Sequence, residues 1–201
     1  MENQNVDWKV KWRDEYLEWV CGFANAQGGS LEIGRNNDGI VVGLSDSEIE
    51  RLLDVLPNKI RNTTGVLADV DVRSEVGKRY VVITVNPYPA PVTYRGRYYY
   101  RSGSTKQELT GSALDEFMLR KQGKTWDGVP VPYVKESEFH RDAFLVFRKK
   151  ALESSRLTSV DLEIDDAALL SNLMLTEGDY LKRAAILLFH QHPENWVPGA
   201  M

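Results

Sequence analysis

Cysteine is nearly missing from this sequence. Cys21 is the only one among 201 residues, so no internal disulfide can form and no cysteine-based zinc site can be built. Long apolar runs are missing too. The longest candidate, residues 184–189, is far short of the ~20 residues that span a bilayer, so no membrane-spanning helix is expected. A basic excess is absent as well: 25 Lys and Arg stand against 29 Asp and Glu, for a net charge of −4. Domains that grip phosphate are usually basic, so any nucleic-acid contact must come from a local patch. The opening MENQNVDWKV is polar and acidic, unlike a secretory or transit signal, and a cytoplasmic location is the expectation. What is present is ordinary for a globular chain. Hydrophobic residues make up 42% and charged residues 27%, enough to build a sizeable core in one medium domain or a domain with an appendage.

Periodicity predicts a helix over residues 13–25, where Leu17, Val20, Cys21 and Ala24 recur at helical spacing and Trp12, Tyr16, Trp19 and Phe23 widen the stripe. Gly28 and Gly29 end it. A strand is expected over 31–34, a turn at Asn36-Asn37-Asp38-Gly39, and a returning strand over 40–44. Ser45 with Glu48 forms a capping box for a helix carrying Ile49, Leu52, Leu53 and Leu56, which Pro57 should kink or restart. Residues 66–73 and 80–85 read as a second hairpin. After the stiff stretch Pro87, Pro89, Pro91, residues 92–94 and 98–100 read as a third pairing around Arg95-Gly96. Thr110 opens a helix to about Lys121. Composition shifts near Gly123, and Gly128, Pro130 and Pro132 suggest a linker. Two more helices are expected, over 138–151 with Ser137 as the cap, and over 165–173. Residues 182–189 fit helix, strand or both.

FANAQGGSLEIGRNNDGIVVGL, residues 23–44, resembles the core of the AlbA-like DNA-binding domain that bacterial regulators share with the Schlafen proteins. GRYYYRSGSTKQEL, residues 96–109, is similar to the second signature of that family, an aromatic strand leading into an Arg-x-Gly-Ser loop. The resemblance covers residues 6–121. Further on, LKRAAILLFHQHPENWVPGA resembles the segment downstream of this domain in bacterial multidomain regulators, including transcriptional regulators and RecG-like ATP-dependent helicases. The resemblance implies an α+β fold, a mixed twisted sheet of hairpins packed by helices, and nucleic-acid binding. The expected organisation is an AlbA-like domain at 1–122, a linker at 123–135, and a helical extension at 136–201 that begins a longer downstream region.

For Schlafen ribonucleases the resemblance implies a magnesium or manganese site built from two N-terminal acids five residues apart and one acid in the turn after the IG strand. Hard cations need several charged oxygen ligands. Glu2 and Asp7 match the first pair by spacing, with Asp where the family carries Glu. The third position falls on Asn36 or Asn37, whose amides bring no charge, and Asp38 is the nearest substitute. The expectation is therefore that this chain holds no metal and is no nuclease.

Gly123-Lys124-Thr125 imitates the end of a phosphate-binding loop, but the glycine required upstream is Met118, so no ATP site is expected. His140, His190 and His192 make no convincing metal set. Cys21 and the Asn25/Gly28/Gly29 group read as structural.

One segment carries positive functional content. From Val92 to Lys106 there are Arg95, Arg97, Arg101 and Lys106 and no acid, with Tyr94, Tyr98, Tyr99 and Tyr100 interleaved and Ser102, Ser104 and Thr105 in the loop. Cations neutralise phosphate, tyrosines stack, and small loop residues let the backbone approach. The first expectation is weak phosphate-mediated binding of DNA or RNA through Arg95, Arg97, Arg101, Lys106, Ser104 and Thr105, in a homo-oligomer. The rivals are a Schlafen-type ribonuclease using Glu2, Asp7 and Asp38, and an assembly module that binds no nucleic acid.

Overall fold

The computed structural model describes residues 3–155 and 157–200, and the chain divides into two units, residues 1–122 and 123–201, each with its own core. The architecture is α+β. In the first unit, strand β1 (Val6–Lys9) leads through a 3-10 turn (Asp14–Tyr16) into helix α1 (Leu17–Asn25) and strand β2 (Gly29–Ile33). Helix α2 (Asp46–Thr64), the hairpin of β3 (Ala68–Glu75) and β4 (Lys78–Val85), the hairpin of β5 (Tyr99–Ser102) and β6 (Thr105–Glu108), and helix α3 (Gly111–Lys121) come next.

The main sheet has the order β1-β2-β4-β3, with β1 parallel to β2 and the other pairs antiparallel. Its inner face presents Leu31, Ile33, Val81, Ile83 and Val85 to Val20, Phe23 and Ala24 of α1 and to Ile49, Leu52, Leu56 and Ile60 of α2. Each such burial contributes about 1.5–3 kcal/mol before entropy is set against it. The Ser45 hydroxyl accepts the Glu48 N–H (3.3 Å) to start α2, and Gly65, at φ +76°, ends it. The helix runs through Pro57 without interruption, because burial of Leu56 and Ile60 on either side outweighs one lost backbone bond.

The expected hairpin over 31–34 and 40–44 does not form as two strands. A strand has two edges, and both edges of β2 are already taken by β1 and β4. Residues 40–44 form no strand: they make an isolated Arg35–Val41 bridge, bonds from the Val42 and Gly43 N–H groups to the Gly34 carbonyl, and one from the Leu44 N–H to the Arg79 carbonyl. The third pairing is displaced for a related reason. Tyr94 bridges only Arg97, and residues 99–102 pair forward with 105–108 instead.

The second unit contains a three-stranded sheet in the order β7 (Pro130–Val131), β9 (Tyr180–Lys182), β8 (Thr176–Glu177). Its helices are α4 (Arg141–Glu153), α5 (Ser159–Leu162), α6 (Asp166–Asn172) and α7 (Arg183–Phe189). The region is thus not purely helical, and residues 130–131, expected in a linker, form an edge strand where proline costs no ladder bond. Ser137 does not cap α4. It lies inside a 3-10 turn (Glu136–Glu138), and His140 precedes the helix. The core is built on Leu169, Leu170, Ile186 and a parallel stack of Phe144 on Phe189 (4.1 Å).

Candidate nucleic-acid interface

The basic segment is positioned by Asn25. This side chain is buried at the end of α1, donating to the carbonyls of Val92 (2.9 Å) and Tyr99 (2.8 Å) and accepting the Val92 N–H (2.8 Å). It joins the start of the segment to β5. Gly22 faces β5 closely, a Cβ there reaching van der Waals contact with the Arg101 backbone nitrogen at 3.5 Å. Gly29, at φ +157°, has the Phe23 ring where a side chain would sit, 2.5 Å from a Cβ. Burial pushes the Cys21 thiol up to about 11, and it donates to the Val92 carbonyl (3.2 Å), so it is a packing residue.

Strand alternation then sorts the tyrosines and cations of β5. Tyr98 and Tyr100 turn to Phe117 of α3, each at 6.2 Å between centroids. Tyr99 and Arg101 turn to α1. Arg101 stands directly opposite Lys106 of β6, a like-charge pair that would repel if nothing intervened. Acids from two other elements intervene. The Arg101 guanidinium donates to Asp7 of β1 (2.6 Å) and to the carbonyls of Asn3 (3.0 Å) and Val6 (3.3 Å), and lies over the Phe23 ring. Lys106 donates to Glu18 of α1 and lies 4.8 Å from the rings of both Trp19 and Tyr99.

Arg101 is 0% exposed, so its assignment as a phosphate contact is corrected: its charge is consumed inside the domain. Lys106 is half-buried and likewise paired. Arg97 is 63% exposed and bound to Glu108 (3.2 Å). Arg95 is exposed at φ +53°, its guanidinium 5.1 Å from the Tyr94 ring. Arg95 and Arg97 border an open groove of ≈ 310 Å³ with Tyr94, Tyr99 and Glu18. Ser104 is exposed in the β5–β6 turn and Thr105 at the start of β6.

Of the candidate acids, Asp7 and Asp38 do not meet. Asp7 is buried and accepts from Arg101, Lys9 and the Trp19 indole N–H (2.9 Å). Its neighbour Trp8 lies on the other side of β1, where the turn holding Asp38 packs: a Cβ on Gly39 would come within 2.6 Å of the Trp8 ring. Asp7 and Asp38 therefore occupy opposite faces. Asn36 is a turn residue, its side-chain amide oxygen Oδ1 accepting the N–H groups of Asp38 (3.1 Å) and Ile40 (2.9 Å). Glu2 lies outside the described residues. Among the described residues no three His, Cys, Asp or Glu side chains are grouped to hold a metal ion.

The sequence pattern of the family described as Schlafen, AlbA_2 matches residues 2–110, more than half of the chain. The chain belongs to the Schlafen AlbA_2 family. That membership associates it with nucleic-acid-related domains. No curated protein matches. Among solved structures, the DIP2311 protein from Corynebacterium diphtheriae is 21% identical over 93% of this chain and 40% of its own, with a TM-score of 0.49. The N-terminal domain of a protein described as related to the ATP-dependent DNA helicase RecG, from Nitrosomonas europaea, is 22% identical over 56% of this chain and 86% of its own, with a TM-score of 0.38. This chain thus spans less than half the length of the first of these. No helix among the described residues is long and apolar enough to cross a membrane.

Within the Schlafen AlbA_2 domain, sequence reasoning missed β1 and the role of Asp7 in pairing Arg101. The one available signal was that Val6 and Trp8 flank Asp7 with strand-forming side chains.

Proposed function

We propose that the first unit is a non-catalytic nucleic-acid-binding module of a cytoplasmic transcriptional regulator. It contacts phosphates through Arg95, Arg97, Ser104 and Thr105. The observation that carries this reading is the exposure of two arginines on either side of Gly96, at the rim of a groove flanked by tyrosines, in a domain of a nucleic-acid-related family. Arg101 and Lys106 serve instead to hold the hairpin on α1. Glu108 beside Arg97 and the net charge of −4 both weaken the attraction, which places affinity at the weak end of the ~10⁻⁴ to 10⁻⁶ M range of sequence-independent binding. No metal or nucleotide cofactor is assigned to this chain.

The test is fluorescence anisotropy with single-stranded RNA, tRNA and duplex DNA across a salt series. Arg95→Ala with Arg97→Ala should lower affinity evenly across sequences and reduce the log–log salt slope on duplex DNA by about two. No binding at low salt, or a double variant that binds like the parent, refutes the reading. A parallel incubation with manganese should leave tRNA intact. Cleavage that EDTA stops would instead establish the ribonuclease.

A further inference from the structure

Helix α4 is apolar beyond the face it buries. Phe144, Phe147 and Ala151 face the core of the second unit, as one stripe of an amphipathic helix should. The opposite stripe is polar, with Asp142, Lys149 and Glu153, but both flanks carry exposed aliphatic side chains: Val146 (52% exposed) beside Phe147, and Leu145 (63%) with Leu152 on the other flank. Leu187 and Leu188 of α7 are exposed as well. Two open grooves share Phe147 and Lys150; Val146 and Leu188 line one, and Leu157 and Leu173 the other. Exposed apolar side chains that line two adjoining grooves mark an interface.

The charges on α4 specify the cover. Arg141 and Asp142 stand at its beginning, and Lys149, Lys150 and Glu153 at its end. Asp142 and Lys150 have no ion-pair partner among the described residues, and Lys149 has only the weak pairing along the helix to Glu153 (4.0 Å). Two copies of α4 laid antiparallel and crossing at Val146 set Asp142 of each against Lys150 of the other. A parallel arrangement would stack like charges at both ends and align the helix dipoles. An interface in which residue i meets j while j meets i is what twofold symmetry requires.

From this we propose that the α4 face binds a second copy of the same chain, the two α4 helices packing antiparallel about Val146 with reciprocal Asp142–Lys150 pairs. The second unit thereby supplies a dimerisation surface separate from the arginines of the first.

Sedimentation velocity of the full chain, up to about 100 μM, reads the result directly. The parent should be dimeric. Val146→Glu should be monomeric with an unchanged circular dichroism spectrum. Asp142→Lys and Lys150→Asp should each weaken self-association about tenfold or more. An equimolar mixture of those two single variants should dimerise, because each then meets its complement. A monomeric parent, an Asp142→Lys variant that associates like the parent, or a mixture that stays monomeric overturns the proposal. So does a dimer that survives Val146→Glu.

Discussion

Two halves of one basic segment meet opposite fates. The turn at Tyr94–Arg97 points its guanidiniums outward, while the hairpin from Tyr99 to Glu108 turns Arg101 and Lys106 toward α1. In sequence the halves look alike, each a pair of cations among tyrosines and small residues. The difference lies in what waits on the other side. Under the hairpin are Asp7 and Glu18, one for each cation, with the Phe23 and Trp19 rings beside them. Under the turn the carboxylate of Glu18 is already taken by Lys106, so Arg95 makes no ion pair among the described residues and has the ring of Tyr94 and the field of Asp14 beside it, while Arg97 finds Glu108 at the exposed rim. A buried charge persists only where a partner meets it, and an outward one needs none.

The comparison breaks most sharply at Asp7. Asp7→Ala leaves the Arg101 charge buried with carbonyls alone, and unfolding in urea should show a loss of about 3–5 kcal/mol. Equal stability to the parent would mean that the hairpin does not depend on the pair. Asn25→Ala comes next. It strips the partner from the Val92 N–H and from the Tyr99 carbonyl, and leaves the Val92 carbonyl to the Cys21 thiol, at roughly 1–3 kcal/mol for each group left unsatisfied, and part of this is recovered if water enters. The same urea series measures it. Lys106→Ala removes a half-exposed pair and two ring contacts, with an expected loss of about 1 kcal/mol and no change in the salt dependence of nucleic-acid binding.

Arg97→Ala reverses that pattern. Its stability should match the parent's, because an exposed pair contributes little, while its salt slope on duplex DNA falls by about one. If Lys106 moved the slope and Arg97 did not, the two halves would have been assigned the wrong way round. The smallest signal comes from Cys21, whose thiol bonds the Val92 carbonyl just ahead of the turn. Burial raises its folded pKa from the ordinary thiol value of 9.0 to about 11, so the neutral thiol is the favoured form. Its contribution to stability is complete below the unfolded value and disappears as pH rises through about 11. Iodoacetamide near neutral pH should leave it unmodified until urea unfolds the domain. Alkylation without urea would show that residues 92–97 open locally.

Much of the fold is legible in the sequence. The Ser45–Glu48 signal, the stripe on α1, the turn before Lys78 and the Gly28-Gly29 stop all act within a few residues of themselves, and local chemistry is what a sequence displays. Local signals mislead where an edge has to be shared. The hairpin over 31–34 and 40–44 is sound local chemistry, lost because β1 and β4 occupy both edges of β2. β1 is hidden because its central inward residue is Asp7, an acid that burial forbids until Arg101 arrives from 94 residues away. The basic patch misleads for the same reason seen from the other end. Composition shows how many cations a segment holds, never where their counter-charges lie.

By itself, then, the sequence determined the family, the α+β class and the elements whose signals are local: the Ser45 cap, the glycine stops and the apolar stripes of the first unit. Only the tertiary structure decided which arginines face outward, that Asp7 and Asp38 lie on opposite faces of β1, and that α4 keeps aliphatic side chains on its exposed flanks. Those outcomes rest on contacts between residues far apart in the chain, where burial turns a charge into either a paired core group or a surface one.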